Sequence, residues 1–437
     1  MIHMKRTALA VAAASLIPCA GFAQGTDAQS LKREIDAMRA EYEARIQALE
    51  ARVKAAETAA ASAVAAPPTA ASGTGFNPAL SLILSGTYAR TSRDPAQYRI
   101  SGFRQPPDAE IGPGTRGLSL GESELGISAN IDPWFSGAAN ISFTPDNSVS
   151  VEEAYVQTTS LGHGLTLKAG RFFSSVGYLN SQHAHVWDFV DAPLAYQAML
   201  GTQYNDDGLQ LAWLAPTDQF IELRAEVGRG RSYPGTASSR NGAGMAALSL
   251  HTGGDIGDSH SWRAGVSVLQ AKASDQALAG VDATGAPVTS AFSGTTRVWI
   301  ADAVWKWAPD GNATRTNFKL QGEYLHSTRE GDMVADVSQL AAPGSWRAAQ
   351  SGWYLQGIYQ FMPRWRVGLR TERLNPGAVA GEGWNPARHS LMLDFNPSEF
   401  SRVRVQLARD RSRPGFADTQ FFLQYQMSLG AHGAHSF

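Results

Sequence analysis

The sequence predicts an all-β chain: a transmembrane antiparallel β-barrel of about sixteen strands, preceded by a short N-terminal coiled-coil helix. Three observations carry that prediction. In residues 418–437, DTQFFLQYQMSLGAHGAHSF, the positions Phe421, Leu423, Tyr425, Met427 and Leu429 alternate with Phe422, Gln424, Gln426 and Ser428. This period of two puts apolar groups on one face and mostly polar groups on the other, and the chain ends on an aromatic, Phe437. Such a strand suits a barrel with lipid outside and an aromatic at the membrane interface. Secondly, about sixteen alternating stretches follow one another from Phe76 onward. Thirdly, the connections between them alternate between short and long.

The totals fit a barrel better than a helical membrane protein. The chain has 437 residues, enough for one large barrel or two ordinary domains. Its mean hydropathy is −0.22 although 43% of residues are hydrophobic. After the N-terminus no apolar run reaches the ~18 residues of a spanning helix, whereas a barrel needs only alternate residues to meet lipid. A formal net charge of −2 gives no support for nucleic acid as a partner.

Residues 1–23 read as a secretory signal peptide, in which Lys5 and Arg6 precede the apolar run 8–17 and small residues lead to Ala23. The single cysteine, Cys19, lies inside this segment, so cleavage leaves no thiol for a disulfide, a nucleophile or a metal. Residues 24–57 are expected to form a periplasmic coiled-coil helix. Its apolar positions Leu31, Ile35, Met38, Tyr42, Ile46, Leu49, Val53 and Ala56 follow an eleven-residue repeat, a period of about 3.67. A lone helix of this length is marginal in water, so pairing with copies of itself is expected. Residues 58–75, rich in Ala, Pro and Ser, read as a linker, and 76–437 as the barrel.

Strands are expected at 80–88, 118–131, 135–143, 149–158, 165–173, 209–214, 220–228 and 245–250. The second half adds 262–271, 297–307, 317–326, 352–361, 365–374, 390–395, 400–409 and the final strand. Tight Pro/Gly/Asp turns fall at 132–133, 160–164, 216–218, 309–312, 362–364 and 397–399. Long polar segments fall between them at 90–116, 174–206, 229–244, 274–295, 327–349 and 375–386, with the short link 144–148 as the exception. Short turns on one side and long loops on the other are the layout of an up-and-down barrel.

Parity also assigns the inner face. With Trp365, Val367 and Leu369 outward, Arg366, Arg370 and Glu372 point in; with Val403, Val405 and Leu407 outward, so do Arg402 and Arg404. Lys168, Glu222, Arg224, Glu226, Lys319 and Glu323 follow by the same rule. Turning them toward hydrocarbon would cost ~2–4 kcal/mol each for the basic ones, so a polar, water-filled lumen is expected. The long segment after the fifth strand, SQHAHVWDFVDAPLAYQAML, carries His183, His185, Asp188 and Asp191 within nine residues. Imidazole with carboxylate suits zinc or another divalent ion. Its Trp187, Phe189, Val190 and Leu194 argue for a packed loop rather than a solvated tip. No nucleophile elbow, phosphate loop, dinucleotide fingerprint or metalloprotease motif is present, so neither an enzyme nor a cofactor is expected.

The terminal strand with Tyr425 and Phe437 resembles the assembly signal of bacterial outer-membrane barrels, which implies the barrel assembly machinery as a partner. Signal peptide, coiled coil, linker and sixteen strands together resemble a trimeric Gram-negative porin, and within that group the phosphate-selective porins. The resemblance implies an outer-membrane homotrimer in lipid that passes small hydrophilic solutes or ions by diffusion, with a long loop folded inward after the fifth strand. Arg366, Arg370, Arg402 and Arg404 match part of that family's arginine ladder, but Glu222, Glu226, Glu323 and Glu372 dilute it, so phosphate specificity is not carried over. The alternatives are an uptake receptor for a metal or small complex, and a structural envelope tether. The receptor fold needs about 22 strands and a plug.

Overall fold

A computed structural model of the chain describes residues 78–236, 241–281, 286–339, 342–378 and 383–430. The expected signal peptide, coiled-coil helix and linker, and Phe437, lie outside the described residues. The strands are β1 (Ala79–Thr91), β2 (Gly117–Leu120, resuming as Ser123–Asn130), β3 (Phe135–Phe143), β4 (Val149–Thr158) and β5 (Leu165–Phe173). Then come β6 (Asn205–Leu214), β7 (Phe220–Gly228), β8 (Met245–Ile256), β9 (His260–Val281), β10 (Pro287–Trp307) and β11 (Asn317–Val334). The last are β12 (Gly344–Met362), β13 (Trp365–Asn375), β14 (Ala387–Ser398), β15 (Ser401–Arg413) and β16 (Phe416–Gly430).

Each strand pairs antiparallel with its neighbour in sequence, and β1 pairs with both β2 and β16, so the sheet closes on itself as a sixteen-strand barrel. The break in β2 is a bulge. Leu120 lies opposite Gly86 and Glu124 opposite Ile83, so three residues of β2 face two of β1. At the closing seam Tyr425 of β16 stands opposite Gly86 of β1, and a Cβ there would lie 2.4 Å from the tyrosine ring. Glycine is what lets the ring lie flat on that strand.

The alternation seen in the sequence is the alternation of the wall. In β13, Gly368, Arg370 and Glu372 are buried inward and Leu369 is 65% exposed. Outward Leu423, Tyr425 and Met427 interleave with Gln424 and Gln426 in β16. Tight links such as 131–134, 363–364 and 399–400 also fall where expected. The loops depart from expectation. Residues 274–295 and 327–349 are mostly strand, because β9 and β10 run for 22 and 21 residues and β11 and β12 for 18 and 19, about twice the ~10 that cross a bilayer. Their polar composition suits strands that continue past the apolar band into water.

The interior is not uniformly polar, as parity had implied. Residues 174–204 turn into the barrel, including the short helix α1 (Leu194–Leu200), every residue of which is buried. Glycine at Gly201, with φ +63°, ends the helix in the left-handed conformation. Val176, Leu194 and Tyr196 pack against inward Leu269, Val298, Ile300 and Leu325 of β9–β11. Ile100 and Phe103, from the segment 92–116, join this cluster. Where the wall meets a folded-in segment instead of water, burying apolar side chains is the favourable choice.

Candidate channel interior

The segment 174–204 leaves β5 and re-enters at β6, yet its polar contacts reach around most of the inner wall. Beside its start, Glu226 of β7 accepts from the Ser174 and Ser175 hydroxyls, at 2.6 and 2.7 Å, and from the Ser175 N–H at 2.8 Å. Glu323 of β11 accepts from the Tyr178 and Leu179 N–H groups, both at 3.0 Å, and from the Tyr196 and Tyr354 hydroxyls. On the far side, Glu372 of β13 accepts from the Leu194 N–H, so a wall carboxylate completes the first turn of α1.

The two loop aspartates are held by cations of the opposite wall. Asp188 pairs with Lys319 of β11 and with Arg366 of β13 at 3.3 Å, and accepts from Gln356 at 3.1 Å. Burial works to raise its carboxyl, but Lys319 and Arg366 outweigh that and hold it at about 2. Asp191 pairs with Arg370 at 2.7 Å and Arg388 at 2.6 Å and accepts from Gln406 at 2.8 Å. Burial pushes it up, while Arg388 and Arg370 bring it below its ordinary value.

The four inward arginines singled out in the sequence are therefore not bare. Arg366 and Arg404 share Asp394, and Arg404 also donates to the Trp187 carbonyl at 2.9 Å. Arg370 bridges Asp191 and Glu372, each at 2.7 Å. Arg402 donates to the His185 carbonyl at 2.7 Å and to Gln426 at 2.6 Å. Arg388 and Asp394, neither of them singled out, complete the lattice. Their signal was available: Arg388 and Asp394 share parity with Ser390 and Met392 on β14.

The remaining sequence candidates lie on another sector. Lys168 of β5 stands over the Tyr155 ring at 4.2 Å, and Arg224 donates to Glu222 at 2.8 Å, both on β7. With Glu153, Asp255 and Arg263 they line a cavity of about 540 Å³. His183 and His185 do meet, with ring centroids 5.6 Å apart, but their carboxylate neighbours are Glu124, Glu152 and Glu153 of the wall. Asp188 and Asp191 stand with the arginines instead. Sequence reasoning missed these glutamates because two of them are adjacent, and strict alternation sends neighbours to opposite faces.

No protein-family model matches the sequence. An uncharacterized protein of Aquifex aeolicus is 31% identical over 401 residues, covering 84% of this chain and 81% of its own length. Among solved structures, an anion-selective porin from Comamonas acidovorans has a TM-score of 0.53 at 11% identity, over 81% of this chain and 99% of its own. The outer membrane channel DcaP of Acinetobacter baumannii has a TM-score of 0.50 at 11% identity, over 81% and 97%. Both likenesses are of fold.

Proposed function

This chain belongs to one family with the uncharacterized Aquifex aeolicus protein, and we propose that it is an outer-membrane channel for diffusion of small hydrophilic solutes or ions. The observation that carries the reading is the unequal use of the inner wall. One sector holds the inward segment by buried ion pairs, and another leaves a charged cavity of about 540 Å³ beside it. A channel needs that division: a fixed constriction and a polar path past it. The cavity offers Lys168, Arg224 and Arg263 against Glu153, Glu222 and Asp255, three of each sign, which supports a weak ion preference. The outward apolar band supports insertion in lipid, and the strand ending on Phe437 suits delivery by the barrel assembly machinery.

In this reading the channel is a homotrimer whose residues 24–57 form a parallel coiled coil on the periplasmic side. Planar-bilayer recording of the purified full chain tests the channel: discrete conductance steps are expected, and their absence removes the reading. Ile46→Asp tests the helix. Crosslinked trimers should dissociate at lower temperature while the barrel stays folded, and unchanged trimers would remove the helix from the assembly.

A further inference from the structure

Where the inward segment meets β2 and β4, side chains from three elements converge. The wall contributes Glu124, Glu152 and Glu153. A second bulge explains the last two: Asn140 of β3 lies opposite Glu153 and Ile141 opposite Val151, so Glu152 is the extra residue. Two consecutive glutamates thereby reach the same side of the wall. The segment contributes His183 and His185, one at the start of and one inside the short turn Ala184–Val186, with their rings stacked.

The contacts are more numerous than hydrogen bonding between these groups can serve. His183 Nδ1 lies 3.1 Å from Glu124 Oε2 and 3.2 Å from Glu152 Oε2. His185 Nδ1 lies 3.2 Å from the same Glu124 oxygen. A ring nitrogen carries at most one proton, so His183 Nδ1 cannot point a full hydrogen bond at both carboxylates. One oxygen between two ring nitrogens and one ring nitrogen between two carboxylates is, however, the arrangement of donors around a shared cation. Tetrahedral ligands ~2.0–2.2 Å from zinc stand about 3.3 Å from one another. The three measured edges fall close to that, and Glu124, His183 and His185 each offer a ligand atom within 4.8 Å of the other two.

A supporting layer is built as well. His183 Nε2, the nitrogen facing away, lies 3.0 Å from Glu153 Oε2. Glu153 is itself fixed, by the Asn140 amide at 3.0 Å and the Phe173 N–H at 3.2 Å. A carboxylate on the far nitrogen of a ligating histidine orients the ring and strengthens its bond to metal. The site lies in a sheltered place, with Glu124 buried and His185 mostly so.

We propose that His183, His185 and Glu124 bind one divalent cation, zinc by donor type and spacing, with the fourth position left to water, Glu152 beside His183 Nδ1, and Glu153 as the positioning residue for His183. The ion clips the stretch around His183 and His185 to β2 and β4, while Asp188 and Asp191 tie the next stretch to the cations of β11, β13 and β14 and take no part. The site stands independently of the channel reading, since it would bind metal in a barrel that conducts nothing.

The test is titration calorimetry of the purified, chelator-treated full chain with Zn²⁺ alone, alongside Co²⁺ absorption. One equivalent per chain and an intense tetrahedral Co²⁺ spectrum are expected. His183→Ala/His185→Ala should weaken Zn²⁺ binding at least ~100-fold, and Glu153→Gln by ~10–100-fold with the ligand set intact. His163→Ala, on an exposed turn, should bind as the wild type does. Retained heat-modifiability on gels shows that each variant is folded, and Glu124→Gln serves if the double variant is not. Wild-type binding no tighter than that of the histidine variant, or an octahedral Co²⁺ spectrum, overturns the proposal.

Discussion

The two sectors of the inner wall use the same residue types for opposite ends. Along β11–β15 the charges are consumed: Lys319, Arg366, Arg370, Arg388 and Arg404 each face at least one carboxylate of the loop or of a neighbouring strand. Along β5–β9, Lys168 has aromatic neighbours, and Arg224 makes a single ion pair beside a cavity. A buried charge must be paired, because its desolvation penalty is otherwise uncompensated, whereas a charge beside water keeps its solvation. The far sector therefore works as a mount and the near one as a lining. A count of inward arginines cannot tell the two apart, and the partners can.

The strongest way to break this comparison is to remove a carboxylate from the mount. Glu372 is buried and serves Arg370, Arg388 and the first turn of α1 at once. Glu372→Ala should cost ~3–5 kcal/mol, the usual penalty for stranding buried charge, read as an earlier heat-denaturation transition on gels. It should also raise single-channel conductance, since α1 loses its anchor. An unchanged transition would mean that water replaces the carboxylate and that the mount is not dry. Acid provides a milder version. Asp188 is held at about 2 by Lys319 and Arg366, so its contribution is complete above the ordinary carboxyl value of ~3.9 and is lost only as pH falls toward 2. Hydrogen exchange protection of residues 188–191, corrected for the intrinsic pH dependence of exchange, should accordingly match at pH 7 and pH 4. Deprotection already at pH 5 would show that this pair does not hold the segment.

Selectivity sharpens the comparison with a smaller effect. Lys168→Gln and Arg224→Gln together remove two cations from the cavity and should move the reversal potential under a salt gradient toward cation preference. Arg404→Gln removes the same kind of charge from the mount, where Asp394 already neutralises it, and should shift that potential less. The opposite order would place the conducting path along β13–β15.

Much of the architecture was legible in the sequence because a barrel wall repeats one rule. Alternation found the sixteen strands, and in β13 and β15 it turned the right side chains inward. It failed where the rule is locally suspended. Bulges at Glu152 and in β2 put side chains where parity does not, so the glutamates around His183 went unread. Ile100 and Phe103, apolar residues in a polar segment, were the one hint that residues 92–116 also fold inward. Partner choice was the other loss. His183, His185, Asp188 and Asp191 are close in sequence, but the wall divides them by charge, the acids of β2 and β4 drawing the histidines and the cations of β11, β13 and β14 drawing the aspartates.

The smallest predicted effect bounds the comparison from the other side. Arg347 and Glu330 pair at 2.9 Å across the extensions of β12 and β11, where both side chains are more than half exposed. The chemistry is that of Arg370 and Glu372, and only the surroundings differ. In water each partner keeps most of its solvation after the other is removed, and salt screens what attraction remains. Arg347→Ala should therefore change stability by less than ~1 kcal/mol, and a double-mutant cycle with Glu330→Ala should give a coupling that fades as salt is added. If the exposed pair proved as costly to break as the buried one, burial would not be what separates mount from lining, and the ion-pair geometry alone would have to explain both.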